Sequence, residues 1–352
     1  MYIFFKTKIW NDYNINMTMS LTRLPSDMPV IGIGLEEHIT FPSMLEQLPE
    51  QYHHRINQST FRQLSELGPL RLTAMDRCGT YLQVLSWGGA GADKLHGIEA
   101  INFAKNVNNM LYRSMKKSPQ PQRFRAFAHL PTSVPIAAAQ ELERCIKHLH
   151  FVGVMIVGTQ DGKFLDDPMF VPILAKAEEL DVPIYLHPAP PPEPVVAAYH
   201  YTTPFLDDNK MDTLSRAGWS WHSEVGLHIM RMCYAETFER HPKLKMIIGH
   251  VGEMIPMMMF RQDTFDLGLK HPISETLRKH VWVTLSGFFT IPPLKCAIDT
   301  FGIDHICWSV DYPYVQYAID YGKNFIKSMS DMMTTDELHA IMYKNALSIM
   351  HL

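Results

Sequence analysis

The sequence contains few cysteines, and they form no pattern typical of a disulfide framework or a zinc knuckle. The five cysteines lie far apart, their number is odd, and no Cys-x-x-Cys pair occurs. Disulfide-rich secreted domains and zinc knuckles both depend on closely spaced, paired cysteines. We therefore expect reduced thiols and a cytoplasmic protein.

Long apolar runs and an excess of positive charge are also missing. No apolar stretch reaches the roughly 18 residues that a bilayer crossing requires, so we expect no membrane span. The chain carries 32 Lys and Arg against 36 Asp and Glu, a net charge of −4. That balance gives no indication of nucleic-acid binding. With 46 % hydrophobic and 19 % charged residues, the composition is typical of a folded globular protein.

Residues 1–28 contain no sustained apolar stretch and no small-residue cleavage site, so they do not resemble a signal peptide. We expect this N-terminal extension to be either disordered or packed, and Met17 and Met19 are alternative starting points. No glycine-serine linker and no internal repeat divides the rest of the chain. We therefore predict a single catalytic domain over residues 29–352.

Short β-rich apolar runs alternate with longer amphipathic stretches along the chain. Eight strands are predicted, at residues 29–35, 81–87, 124–130, 152–157, 182–186, 244–248, 281–285 and 305–310. Helices are predicted at residues 96–117, 134–148, 169–180, 219–238, 254–269, 291–300 and 331–350. Strands separated by helices imply parallel crossovers, and eight such units favour a (β/α)8 barrel (a TIM barrel) over an open sheet. Two irregular stretches, residues 88–93 and 188–206, are predicted as loops that border a substrate pocket.

Side chains that can bind a metal recur where the predicted strands end. Glu36 and His38 follow the first strand, His187 follows the fifth, and Asp311 follows the eighth. The carboxyl ends of barrel strands meet at one rim, so these side chains should converge. Imidazole and carboxylate ligands together suit zinc, manganese or a similar divalent ion. Glu37 should face away from the other two residues of its segment, because side chains alternate along a strand.

Further polar residues follow the sixth predicted strand. A glutamate beside a histidine can set the tautomer of the imidazole and raise its basicity, which we expect for Glu253 and His250. Arg261, in the helical run beyond them, could hold a substrate carboxylate or phenolate through a bidentate contact. Each residue alone has a structural explanation, and Asp311 alone could cap a helix. Three other histidines are predicted to be structural: His222, His228 and His241.

The motifs around these residues resemble the amidohydrolase-2 family, in the branch of aminocarboxymuconate-semialdehyde decarboxylase and the hydroxybenzoate decarboxylases. The matching stretches are LEEH at 35–38, YLHP at 185–188, HPKLKMIIGHVGE at 241–253 and WSVDYPY at 308–314. Most hydrolases of the superfamily carry His-x-His after the first strand, whereas this chain carries Glu36-Glu37-His38. That form is similar to the 2,3-dihydroxybenzoate, γ-resorcylate, salicylate and 5-carboxyvanillate decarboxylases.

The resemblance implies an amidohydrolase-like barrel that assembles as a homodimer or a homotetramer. It implies one divalent ion, Zn²⁺ or Mn²⁺ with Mg²⁺ as a further option, and the fourth predicted strand has no lysine for a carbamate that would bridge two ions. The implied metal ligands are Glu36, His38, His187 and Asp311. The implied acid/base group consists of Asp311, His250 and Glu253, with Arg261 as a substrate contact.

We therefore predict a metal-dependent, non-oxidative decarboxylase of a small ortho-hydroxylated aromatic acid. Asp311, working with His250, would protonate the ring carbon that bears the carboxylate, and the metal would stabilise the developing charge. A metal-dependent hydrolase of a lactone or an amide is an alternative on the same barrel, although the Glu-x-His pair counts against it. A non-catalytic barrel is a third possibility, which predicts broken metal ligands, and none of the four is missing.

Overall fold

Eight parallel strands form the centre of the molecule, and each is hydrogen-bonded to the next in chain order. The computed structural model describes residues 32–52, 58–200 and 203–352. The strands are β1 Gly32–Ile39, β2 Thr80–Trp87, β3 Phe124–His129, β4 Gly153–Val157, β5 Ile184–His187, β6 Met246–Ile248, β7 Val281–Thr284 and β8 Ile306–Cys307. All eight predicted strands are present, although the predicted extension (residues 1–28) and residues 29–31 lie outside the described residues.

The last strand returns to the first and nearly closes the sheet. The backbone N–H of His38 donates to the carbonyl of Tyr312 at 2.8 Å, and Glu37 and Tyr312 form a single parallel bridge. Every other pair of neighbouring strands is joined by two or more register pairs. The predicted (β/α)8 barrel is therefore confirmed, with its weakest backbone pairing between β8 and β1.

Helices connect the strands and follow the last one. They are α1 Pro42–Leu45, α2 Gln58–Leu64, α3 Pro69–Cys78, α4 Gly97–Lys117, α5 Pro135–Leu149, α6 Val171–Leu180, α7 Glu193–His200, α8 Asp208–Ser215, α9 Ser220–Tyr234, α10 Thr237–Arg240, α11 Ile255–Gln262, α12 Ile273–His280, α13 Ile291–Phe301, α14 Gln316–Ser330, α15 Thr335–His339 and α16 Asn345–Met350. Within the described ranges, no helix has the combination of length and apolarity needed to cross a membrane.

Two layers of apolar side chains hold the barrel together. Alternate strand residues such as Leu35, Val84 and Tyr185 pack together in an inner cluster, which α16 joins through Ile349. The residues between them face the helices in a larger outer cluster, as Leu186 does in β5. This division follows from the two-residue period of side chains along a strand.

The structure corrects several predicted boundaries. β1 continues to Ile39, so Glu36 and His38 lie inside the strand and not after it. The charged residues suggested a strand end, but in a barrel the last residues of a strand can point polar side chains into the rim. The predicted loop at 188–206 contains α7, and the predicted helix at 254–269 ends at Gln262.

Candidate metal centre and active site

Glu36 presents one carboxylate oxygen to the rim of the barrel and has the other bound by the protein. Its side chain is fully buried. The hydroxyls of Tyr185 and Ser286 both donate to Oε2, and the Tyr185 hydroxyl also lies 2.8 Å from Oγ1 of Thr284. Oε1 has no hydrogen-bond partner. The residue is thus fixed in position with one oxygen available to a ligand.

His187, the last residue of β5, is held in the tautomer that binds metals. Its Nδ1 lies 2.7 Å from the carbonyl oxygen of Pro188. A carbonyl can only accept a hydrogen bond, so Nδ1 carries the proton and Nε2 carries a lone pair. Burial lowers the pKa of His187 to about 3, which keeps the ring neutral. Nε2 lies 3.4 Å from Oε1 of Glu36.

His38 lies between His187 and Asp311 at the end of β1. Its ring meets the ring of His187 edge-on, with centroids 4.9 Å apart. Nδ1 is 3.4 Å from Oγ of Ser86, while Nε2 has no hydrogen-bond partner. Nε2 lies 3.2 Å from Oδ1 of Asp311, and that oxygen is also without a hydrogen bond. Two potential ligand atoms therefore face each other across a short gap.

A divalent cation fits this arrangement. The ligand atoms of Glu36, His38 and His187 lie within 4.8 Å of one another. Among the described residues, five buried side-chain polar atoms lack a partner, and three of them belong to Glu36, His38 and Asp311. Each such atom costs about 1–3 kcal/mol if it stays unsatisfied, so their convergence indicates a missing ligand. Burial raises the pKa of Glu36, and a cation beside Oε1 would provide the counter-charge that keeps it ionised. Imidazole and carboxylate donors suit zinc or manganese.

A chain of four side chains leads away from this group. Nε2 of His250 faces Oδ2 of Asp311 at 3.9 Å, and Nδ1 of His250 lies 2.6 Å from Oε1 of Glu253. The other oxygen of Glu253 lies 2.7 Å from Nδ1 of His222. The structure therefore brings the predicted acid/base residues together beside the predicted metal ligands. Their chemical roles stay predictions.

The pKa shifts along this chain of side chains differ in direction. Burial alone would lower the pKa of His250, but the charges of Glu253 and Glu36 outweigh it and raise the pKa well above its ordinary value. Burial would raise the pKa of Asp311, but the nearby imidazoles of His250 and His38 outweigh that effect and lower it. The pKa of Glu253 is lowered against its burial, chiefly by the charge of His250. The imidazole of His250 thus lies between two carboxylates, those of Asp311 and Glu253.

His222 was predicted to be structural, but the structure places it at this site. It lies in the first turn of α9, and its ring centroid is 4.7 Å from that of His250. Nε2 lies 3.0 Å from the carbonyl oxygen of Ala217. Both ring nitrogens of His222 therefore face hydrogen-bond acceptors. His222, His250 and Glu253 also form a second group of potential metal ligands, but direct hydrogen bonds join them.

The turn after β6 has an unusual backbone that brings His250 and Glu253 to the site. Five consecutive residues, from His250 to Met254, have positive φ angles between 50° and 96°. Gly249, just before them, has an ordinary φ of −84°. A Cβ atom there would lie 2.7 Å from Oε2 of Glu36. Glycine is therefore required at this position by the close approach of the metal-binding carboxylate.

Aromatic side chains surround the group. Phe288 contacts the rings of His222 and His250 edge-on, at 5.6 Å from each. Trp221 lies 6.5 Å from His187, and its indole N–H is buried without a partner. Tyr314 lies 5.3 Å from His38. Tyr314 is part of the WSVDYPY motif, but no sequence pattern points to Phe288 or Trp221.

The remaining predicted residues lie elsewhere. Arg261 is exposed near the end of α11, with its guanidinium 5.7 Å from the ring of Phe265. Within the described ranges, its guanidinium forms no hydrogen bond or ion pair with the acid/base residues, and its role in substrate binding stays a prediction. His228 accepts a hydrogen bond from the Leu165 N–H at 2.7 Å, and His241 pairs with Glu178 at 3.2 Å.

Comparisons with known proteins find similar sequences over most of the chain. A profile of the amidohydrolase family matches residues 60–351. The chain is 33 % identical to Decarboxylase orsB of Emericella nidulans, over 89 % of this chain and 95 % of that protein. It is 31 % identical to a gamma-resorcylate decarboxylase of Rhizobium sp. (strain MTP-10005), over 82 % of this chain and 90 % of that protein.

A solved structure is similar over nearly the whole chain. It is a dihydroxybenzoic acid decarboxylase from Polaromonas sp. JS666 with bound manganese and the inhibitor 2-nitroresorcinol. The TM-score is 0.80 and the identity 28 %, covering 92 % of this chain and 97 % of that chain.

Proposed function

The chain belongs to the amidohydrolase family, in its branch of metal-dependent decarboxylases, and we propose that its substrate is a small aromatic acid with a hydroxyl group ortho to the carboxylate. The observation that carries the proposal is the convergence of three buried, unpartnered ligand atoms, from Glu36, His38 and Asp311, beside the hydrogen-bonded pair of His250 and Glu253. The named substrates and inhibitors of the relatives, γ-resorcylate and 2-nitroresorcinol, support the substrate class.

The four predicted ligands are arranged to hold one divalent ion, Zn²⁺, Mn²⁺ or Mg²⁺. Glu36, His38, His187 and Asp311 would hold the ion. When bound, the ion supplies positive charge next to the carboxylate and the ortho oxygen of the substrate. The tautomer of His187 and the hydrogen bonds to Oε2 of Glu36 prepare both residues for this role.

The other residues of the site would bind and transfer a proton. Decarboxylation consumes one proton, because ArCOO⁻ and H⁺ become ArH and CO₂. Asp311 would deliver it to the ring carbon that bears the carboxylate, and His250 would supply it to Oδ2 of Asp311. The bond from the ring to the carboxylate carbon then breaks, its electron pair restores the aromatic ring, and CO₂ leaves.

The proton on His250 must be replaced in every turnover. Glu253 joins His250 to His222, whose side chain is 12 % exposed. These two hydrogen bonds would carry a proton from the solvent to His250, which lies 3.9 Å from Oδ2 of Asp311. The ring of Phe288 covers His250 and His222 and would limit the access of bulk water.

The reaction can be tested by measuring CO₂ release without oxygen. We expect the Mn²⁺-loaded protein to release stoichiometric CO₂ from at least one of salicylate, 2,3-dihydroxybenzoate and 2,6-dihydroxybenzoate, and none from benzoate, which lacks the ortho hydroxyl. The variant Asp311→Asn should lose about a hundredfold or more in kcat, since a general acid contributes that much. Asp320→Asn, an exposed control, should leave kcat unchanged.

The same assay contains the outcome that would contradict the proposal. If the loaded protein binds the metal but releases no CO₂ from any ortho-hydroxylated acid, and instead opens lactones or cleaves amides, it is a hydrolase on the same barrel. From the cysteine usage we further propose a cytoplasmic location, and from the resemblance alone a homodimer or homotetramer.

A further inference from the structure

The side chain of Glu37 joins β1 to the segment after β8, where the barrel has little backbone pairing. Glu37 is fully buried. Its Oε1 accepts hydrogen bonds from the Val310 N–H at 3.0 Å and from the Ser309 hydroxyl at 3.1 Å. Its Oε2 accepts from the Tyr312 N–H at 3.2 Å and from the Gln83 amide at 2.9 Å. Four donors, one from β2 and three from the segment after β8, thus converge on a single carboxyl group.

The two backbone amides that Glu37 binds lie on either side of Asp311. Asp311 has a φ of 62°, a left-handed conformation that is unfavourable for a residue with a Cβ atom. Such a conformation persists only where surrounding contacts enforce it. Because Val310 and Tyr312 are both bound by one carboxyl group, the backbone on both sides of Asp311 is fixed. Glu37 therefore determines where the Asp311 carboxylate points.

Glu37 is also the residue between two predicted metal ligands. Glu36 and His38 flank it in β1 and face the site, while the side chain of Glu37 reaches toward residues 309–312. One residue thus relates the position of Asp311 to the positions of Glu36 and His38. The gap of 3.2 Å between His38 and Asp311 depends on this link and on the single backbone hydrogen bond from His38 to Tyr312.

Two further buried side chains hold Glu37 in place. Gln83, whose amide nitrogen binds Glu37, accepts a hydrogen bond from Arg71 at 3.1 Å through its oxygen. The guanidinium of Arg71 is fully buried, donates to the carbonyl of His38 and lies 4.5 Å from the ring centroid of Tyr312. We call these three residues, Glu37, Gln83 and Arg71, the clamp.

We propose that Glu37 is a positioning residue whose carboxyl group, supported by Gln83 and Arg71, holds Asp311 opposite Glu36 and His38 and so sets the metal affinity and the efficiency of proton delivery. Glu37 itself does not contact the metal or the substrate. The part of the proposal that concerns kcat rests on the proposed function, whereas the part that concerns metal affinity does not.

The variant Glu37→Gln tests the proposal with almost no change of volume. The amide nitrogen of the new side chain donates and cannot accept, so one of the two backbone amides beside Asp311 loses its partner. We expect the Kd for Mn²⁺ to rise about tenfold or more, as happens when groups that orient metal ligands are removed. The electron paramagnetic resonance spectrum of bound Mn²⁺ should change, and kcat should fall with little change in KM.

Glu141→Gln is the matched control. Glu141 is another buried glutamate, but its partners are Asn108 and Arg144, outside the site. This variant should lose stability and keep the parent's Kd for Mn²⁺. A Kd for Glu37→Gln within twofold of the parent would overturn the proposal, and so would an equal rise of Kd in both variants.

Two further measurements keep the test decisive. If Glu37→Gln does not fold, Gln83→Met removes one donor to Glu37 and should still raise the Kd severalfold, and an unchanged Kd would overturn the proposal. If the Kd rises as expected but the parent releases no CO₂, the proposed function fails and the positioning role stands.

Discussion

The buried residue His129 holds the loop after β2 through its neutral imidazole. Its Nε2 accepts a hydrogen bond from the Ala92 N–H at 2.9 Å. A protonated ring could not accept this bond. Burial lowers the pKa of His129 to about 4, and the nearby charge of Asp93 only partly opposes this effect. Gly88 belongs to the same loop, and a Cβ atom there would lie 3.0 Å from Cβ of His38. The loop is therefore packed directly against a predicted metal ligand.

This burial predicts a loss of stability in acid. The unfolded chain takes up a proton at His129 near its ordinary pKa of 6.5, whereas the folded protein does so only near pH 4. The contribution of neutral His129 to the free energy of unfolding is therefore fully present above pH 6.5. It is lost as the pH falls toward 4, by about 1.4 kcal/mol per pH unit. Urea unfolding at several pH values measures this loss. The free energy of unfolding should decline less steeply in His129→Gln than in the parent, because the new amide oxygen can accept from the Ala92 N–H without titrating. Parallel declines in the two proteins would contradict this assignment.

Individual site residues were predictable where they follow from strand topology. Glu36, His38, His187 and Asp311 lie at or near strand ends, and a barrel brings such ends together whatever the loops do. His222 reaches the same site from the start of a helix that follows a long connection. The hydrophobic periodicity of the sequence does not determine the path of that connection. Only the structure therefore shows that His222 is a second partner of Glu253.

Among the elements, the turn after β6 combines strained backbone with a tightly packed glycine. The five positive φ angles that follow Gly249 direct His250 toward Asp311 and Glu253 toward His222. Because Gly249 itself has an ordinary φ, an alanine there is acceptable to the backbone but not to the neighbouring side chains. The nearest of these is the carboxylate of Glu36.

Gly249→Ala should therefore weaken metal binding more than it weakens the fold. The new methyl group must displace Oε2 of Glu36, which lies 2.7 Å from the ideal Cβ position, and Oε1 moves with it. We expect the Kd for Mn²⁺, measured by calorimetry, to rise about tenfold. Gly68→Ala is the control, because a Cβ there meets only the end of the Glu66 side chain. Equal affinities in the two variants would show that Glu36 can move without loss of the site.

The elements themselves were predicted unevenly. All eight strands were found because each is a short apolar run between helical stretches. Helix α14 was not predicted, although its buried residues Ile319, Phe325 and Ile326 follow helical spacing. Gly322 interrupts its pattern, and a Cβ atom there would lie 2.9 Å from the Cys78 carbonyl oxygen at the end of α3. A glycine is typical of loops, but Gly322 instead allows α14 to pack closely against α3.

At the scale of the whole molecule, the predicted metal ligands come from separate parts of the chain. Glu36 and His38 belong to β1, His187 ends β5, and Asp311 follows β8. An ion held by these residues would join both ends of the chain to the middle of the barrel. Unfolding separates the ligands, so the ion binds the folded state far more tightly than the unfolded one.

Removing the metal should therefore lower the melting temperature of the whole barrel. At a free Mn²⁺ concentration one hundred times its Kd, binding adds about 2.7 kcal/mol to the free energy of unfolding, a change in Tm of roughly 4 °C for a chain of this size. Scanning calorimetry with a chelator, and again after Mn²⁺ is restored, measures this shift.

Glu36→Gln replaces a buried carboxyl group with a neutral amide whose oxygen can still accept from Tyr185 and Ser286. Without metal its Tm should equal or exceed that of the parent, and its Mn²⁺-dependent shift should vanish. A full shift in this variant would mean that the ion binds elsewhere in the protein.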